Sequence, residues 1–186
     1  MSLTLLSPPA AEPVTLAELK AHLRVTSDDE DALVTGMLVA AVRAIEARGG
    51  LALMPQQWRL TLDAAPEETL FLPLSPVSAI DAVSVIDGDG DPRTVSPSLY
   101  DAVLGAGARI RPAGPWPLPV PKVGGVHVDF TAGYEDAGAV PAPLKQAVLT
   151  LAAFFFETRE AAGETRIYAV PRSVDALIAP YKEARL

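Results

Sequence analysis

His127 and Asp129 stand two apart in "VHVDF", a stretch whose alternation reads as a β-strand, so both side chains leave the same face. An imidazole beside a carboxylate is the starting material for a metal ligand pair or an acid–base dyad. Nothing local completes either. The other histidine, His22, falls on a predicted helix, and no third ligand or activated nucleophile accompanies the pair. A strand histidine hydrogen-bonded to its neighbour is the simpler reading.

Three further stretches imitate binding motifs. "DGDGDP" (Asp87 to Pro92) begins like a calcium loop, but Pro92 stands where the loop's glycine belongs and Ser98 where its bidentate glutamate belongs. Asp-Gly pairs supply the positive φ of a hairpin turn, and that is the expectation here. "GAGARI" (Gly105 to Ile110) lacks the third glycine of a dinucleotide loop and leads into a strand, where phosphate binding needs a helix N-terminus. The acidic run Asp28 to Asp31 fits the positive end of a helix dipole better than a metal site, which needs ligands converging from elsewhere. The sequence has no G-x-S-x-G, H-E-x-x-H or P-loop. The expectation is therefore no catalytic residue, no metal ligand, no cofactor and no enzyme.

Proline placement orders the elements that carry these residues. Eleven of the 18 prolines fall between Pro55 and Pro121, and none falls between Val14 and Met54 or between Leu144 and Val170. Because proline breaks a helix interior, helices belong in the two proline-free windows. Thr15 with Glu18 forms a capping box for a helix over Leu16 to Leu23. Ser27 with Glu30 repeats the device for a second helix reaching about Ala47, with Leu33, Met37, Ala41 and Ile45 on its apolar face, Val34 and Leu38 widening it, and Gly49-Gly50 as its exit.

Between the windows the period changes to two. "WRLTLD", "VSVI", "YDAV", "RIR" and "VHVDF" read as short strands of an antiparallel sheet or partial barrel, and "GPWPLPVPKVGG" as an extended loop. A third helix should begin near Pro143 and run to about Glu160 along Leu144, Val148, Leu151 and Phe155. Phe154, Phe155 and Phe156 cannot all face one core, so part of that surface meets either the β-rich middle or a neighbouring chain. The tail holds a short amphipathic helix capped by Ser173 and limited by Pro180, suited to docking into a partner's groove.

At 186 residues the chain can bury one sizeable core. It has no cysteine, hence neither disulfide nor thiolate metal site, and no apolar run near the roughly 20 residues that cross a bilayer. Its N-terminus lacks the leader of a secreted protein. A net charge of −8 argues against gripping nucleic acid by counterion release, while leaving a surface past which a phosphate backbone can slide.

The succession "PVTLAELKAHLRV", "DDEDALVTGMLVAAVRAIEARGG", "ALMPQQWRLTLD", "LPLSPVSAIDAVSVIDGDG", "VHVDFTAGYEDAGAVPAPLKQAVLTLAAFFFETREA" and "VPRSVDALIAPYK" resembles the head-to-tail connector proteins of long-tailed bacteriophages and phage-like gene transfer agents, also called adaptor or head-completion proteins. The resemblance covers nearly the whole chain and rests on the order of structural motifs.

It implies an α+β fold: a single connector domain over 1–186, with an antiparallel helical hairpin and C-terminal helices (14–50 and 141–186) and a β-rich insertion (54–132) between the second and third main helices. It also implies a structural virion protein at the head–tail junction, assembled in the bacterial cytoplasm as a homo-oligomer, a dodecameric ring under the portal. That ring would extend the channel through which double-stranded DNA passes without specific binding, and would present a surface to the next head-completion (stopper) or tail protein. Portal contact then falls to Tyr168, Val170, Pro171, Val174, Leu177 and Ile178, and subunit contact to Met37, Leu38 and the Trp116 loop. Two other readings fit the same residues: a small non-enzymatic protein-binding module with a β-rich insertion, and, third, a metal-dependent enzyme using the His127/Asp129 face.

Overall fold

The computed structural model describes residues 1–116, 123–158 and 170–182. It is a mixed α+β structure whose contacts divide it into two compact units: Met1–Ala10 with Pro55–Glu135, and Ala11–Met54 with Asp136–Leu186.

The second unit is helical. α1 (Leu16–Leu23) starts at the predicted capping box: the Glu18 amide donates to Thr15 Oγ1 at 3.2 Å and the Thr15 amide to Glu18 Oε2 at 2.7 Å. α2 (Asp31–Gly49) starts later than its sequence suggests. Ser27 bonds Asp29 instead of capping the helix, and Glu30 at the N-cap gives no side-chain cap. The acidic run serves α1 as well, since Lys20 pairs with both Asp28 and Asp31. Gly50 turns the chain out of α2 at φ 64°, a left-handed conformation that glycine adopts without strain.

α3 (Ala142–Thr158) packs on α1, α2 and α4 (Arg172–Ile178). Leu144, Ala147, Val148, Leu151 and Ala152 of α3 are fully buried, as are Leu19 of α1 and Val174 and Ile178 of α4. On α2 the buried face is Val34, Leu38, Ala41, Val42 and Ile45. Leu33 is 45% exposed and Met37 half-buried, so the apolar stripe expected through Leu33 and Met37 lies at the edge of the packed face. α2 is apolar around much of its circumference, and periodicity alone could not choose the side. α4 likewise lacks its expected Ser173 cap: Pro171 holds the N-cap position and Ser173 sits inside the helix.

The first unit is built on two antiparallel sheets. The larger has the order β1-β2-β8-β4-β5, from β1 (Ser2–Ser7), β2 (Gln56–Leu62), β4 (Val77–Ile86), β5 (Pro92–Thr94) and β8 (Val126–Ala132). β8 is central, and Leu60↔Val128↔Val83 and Leu62↔Val126↔Val85 form buried rows across it. The smaller sheet, β3-β7-β6, comprises β3 (Leu70–Phe71), β6 (Tyr100–Val103) and β7 (Arg109–Pro112). β1 is absent from the sequence reading; the alternation of "SLTL" lasts four residues and breaks at Leu5 and Leu6, where a register shift between Leu5 and Ser7 accommodates the adjacent leucines. β4 extends six residues before "VSVI", and two register shifts along it disrupt the period of two.

One buried carboxylate fixes the exit from α2. Glu46 is 8% exposed; its Oε1 accepts from the Leu53 amide at 2.9 Å and its Oε2 from Arg43 Nη1 at 2.6 Å. Glu46→Ala would strand the buried Leu53 N–H, so urea denaturation should show a loss of about 1–3 kcal/mol. Glu46→Gln keeps an acceptor and should lose clearly less. Equal losses for the two variants would assign the effect to the Arg43 pair instead.

Candidate functional site

The candidate dyad lies on the polar face of the larger sheet, where β8 alternates Val126, Val128 and Phe130 inward with His127 and Asp129 outward. Cross-strand register sets Arg59 opposite Asp129 and Thr61 and Ser84 opposite His127. Arg59 grips Asp129 fork to fork, Nε to Oδ1 and Nη2 to Oδ2, both at 2.7 Å. Both carboxylate oxygens are thereby engaged by the Arg59 guanidinium. The pairing also raises the Arg59 pKa.

Partial burial lowers the His127 pKa below 6.5 and the nearby Arg59 charge adds to this, against the opposing pull of Asp129 and a backbone hydrogen bond at Gly124. Among the described residues no group of three or more His, Cys, Asp or Glu side chains is placed to hold a metal ion. His127 therefore sits neutral in a sheet face, with its neighbouring acid already paired.

The motif imitations resolve into turns. "DGDGDP" joins β4 to β5 as the expected hairpin: Asp87 Oδ1 accepts from the Asp89 and Asp91 amides at 3.0 Å each, and its Oδ2 from Arg93 Nε at 2.9 Å. These bonds, the Asp91 amide foremost, hold its carboxyl below the usual range. "GAGARI" connects β6 to β7, with Gly105 and Gly107 at positive φ.

The candidate contact residues fall into two groups. Leu38 (3% exposed) and Trp116 (7%) are held inside their own units; the Trp116 indole donates to the Leu99 carbonyl at 3.2 Å and meets the Tyr100 ring edge-on. Val174 and Ile178 are fully buried in the helical unit, and Arg48 binds Asp175 through contacts of 2.9, 3.0 and 3.2 Å. Met37, Val170, Pro171 and Leu177 keep part of their surface. Tyr168 lies outside the described residues.

Sequence reasoning missed an open apolar groove of about 480 Å³ lined by Ala32, Leu33, Gly36, Met37 and Ala40 of α2 and Phe155 of α3. The signal was a small residue at every fourth position, 32, 36 and 40, hidden by assigning Leu33 and Met37 to the core. Among the described residues no helix is long and apolar enough to cross a membrane.

Among the described residues the candidate motifs thus resolve into ion pairs, self-satisfied turns and an apolar groove. Residues 12–184 match the head completion protein family. A search of curated proteins finds no match. Among solved structures, the chain is similar to a subunit in the neck of an empty gene transfer agent particle computed with sixfold symmetry (31% identity, TM-score 0.83). It is also similar to one in the virion of a native gene transfer agent particle (32%, 0.82) and to one in the neck of a native particle computed with twelvefold symmetry (32%, 0.81). Each match covers 100% of this chain and 97% of the other. The chain belongs to the head completion protein family, and its class is that of structural virion proteins.

The His127 environment makes a testable demand on pH. Its folded-state pKa is lowered, so between that value and 6.5 the unfolded chain binds more protons than the folded one, and stability falls as pH drops through 6.5. Denaturation across this range should show the decline, and His127→Gln should flatten it. An NMR titration midpoint of His127 at or above 6.5 would contradict the assigned cause.

Proposed function

We propose that this chain forms a ring in the neck of a phage-like particle, under the portal, where it joins the DNA-filled head to the tail and extends the DNA channel without catalysing a reaction. The observation that carries this reading is the full-length likeness, at 31–32% identity, to subunits of gene transfer agent necks computed with sixfold and twelvefold symmetry. Copies of the chain stand around one axis, twelve in the complete ring, with the helical hairpin as a wall element. The portal lies on one side, and the next head-completion or tail protein on the other.

The chemistry is consistent with a conduit. With a charge of −8 and cations such as Arg59, Arg93 and Lys20 engaged by the chain's own carboxylates, the ring offers DNA little to hold. The terminal segment is the portal-contacting element. Val174 and Ile178 anchor α4 to its own helical unit, which leaves Val170, Pro171 and Leu177 to meet the portal. Met37 is the member of the expected subunit-contact set with open surface.

Light scattering of the purified protein mixed with the portal of the same particle should show a shift to a ring-sized complex. A monomer indifferent to the portal would sink the reading. Within the complex, Leu177→Asp should weaken portal binding roughly tenfold or more while circular dichroism and melting stay near the parent. Val174→Asp, by contrast, should destabilise the helical unit itself, because it buries an unpaired charge. Portal affinity unchanged by Leu177→Asp would remove α4 from the contact.

A further inference from the structure

Two carboxylates of the helical unit share one cation. Arg43 of α2 donates from Nη1 to Glu46 Oε2 at 2.6 Å and from Nη2 to Glu12 Oε1 at 3.1 Å. The two acids are not equally provided for. Glu46 Oε1 also accepts from the Leu53 amide, whereas Glu12 Oε2 is buried and has no hydrogen-bond donor. With both acids ionised, one negative charge of the cluster is uncompensated, and Oε2 of Glu12 is the oxygen left to carry it. An ionised oxygen that has lost water and gained no donor is far more costly to bury than a neutral hydroxyl in the same place.

The position of Glu12 gives that imbalance a structural consequence. It stands in the segment that enters α1, directly before the buried Pro13 and Val14 and three residues before the Thr15 cap. Its bond to Arg43 ties that segment to α2 across 31 positions of chain. Charged side chains on the other helices of the unit act elsewhere: Lys20 of α1 on Asp28 and Asp31, Lys145 of α3 on Glu18, and Asp175 of α4 on Arg48. Burial pushes the Glu12 carboxyl above its ordinary 4.5; the charge of Arg43 pulls it down, and that of Glu46 adds to the rise.

We infer that Glu12 is a proton-operated fastener: a proton taken from solvent onto Oε2 removes the excess charge of the cluster and tightens the hold of α2 on the segment entering α1. The new O–H bond is the only bond made, and Oε1 remains the acceptor for Arg43. Between 4.5 and the raised folded value, the folded unit binds more protons at this position than the unfolded chain does. The contribution is therefore fully present below 4.5 and is lost as pH rises through the folded value. Its direction is opposite to that of Asp87, whose lowered carboxyl loses its contribution on acidification.

An NMR titration of the Glu12 side-chain carboxyl in the full chain should give a midpoint above 4.5. Glu46→Gln removes the like charge and leaves the cation to Glu12, so it should move that midpoint down. Glu12→Gln keeps an acceptor for Arg43 and imitates the protonated state at every pH. Its melting temperature relative to the parent should rise as pH is raised from 4.5 to neutrality. At neutral pH its Val14 and Thr15 amides should exchange more slowly than those of the parent, and the two rates should converge on acidification.

A midpoint at or below 4.5 would mean that Oε2 finds a donor in solution, and the inference is then overturned. A midpoint unmoved by Glu46→Gln would overturn the cluster as its cause. A melting difference that stays constant across the range, or equal exchange at Val14 and Thr15 in the two proteins at neutral pH, would show that the proton does not govern the hold on this segment and would overturn the fastener.

Discussion

The packing of α3 is the constraint on which the helical unit depends. Its buried stripe, Leu144, Ala147, Val148, Leu151 and Ala152, is met by α1, α2 and α4, so three helices find their core only when this one is in place. α1 and α2 precede α3 by about a hundred residues, and α1, at eight residues, is too short to be stable alone. The unit is therefore closed by non-local contacts, and a long stretch of chain must leave and return for it to form. The small alanines at 147 and 152 let neighbouring helices approach α3, and Glu46 holds the turn that follows α2 by accepting from the Leu53 amide.

The β unit solves an analogous problem with β8. This strand comes last of the eight in sequence yet lies at the centre of the larger sheet, paired on one edge by β2 and on the other by β4. Its alternation was legible because its pairing with β2 is continuous and the shifts against β4 fall on β4, so one face of β8 is uniformly apolar and the other polar. β4 was legible only at its end, where the register shifts stop. β1 offered only the four alternating residues of "SLTL", too short a signal to assign before the free edge of β2 is present to pair it.

The same distinction explains which side chains could be assigned from sequence. Local devices were readable: the Thr15 capping box, the Asp87 turn and the left-handed exit at Gly50 each depend on residues within a few positions. The fate of Asp129 was not, because its partner Arg59 lies 70 residues away, and the pairing is set by strand register. The open side of α2 was hidden for a similar reason. Leu33 and Val34 are equally apolar, and only the position of α3 determines which is buried.

What remains is a charge distribution that suits contact better than chemistry. Arg59 with Asp129, Arg93 with Asp87, Arg48 with Asp175, Arg43 with Glu12 and Glu46, and Lys20 with Asp28 and Asp31 each pair a cation with an acid of the same chain. His127, with its pKa lowered, adds no charge at neutral pH. Pairs at exposed positions contribute little to stability, so their larger effect is on what the surface offers a polyanion. A duplex gains affinity by releasing counterions to unengaged lysines and arginines, and side chains already held by carboxylates release few. Self-pairing of this kind leaves the surface carrying those side chains with little for a polyanion to hold, whatever assembly the chain enters.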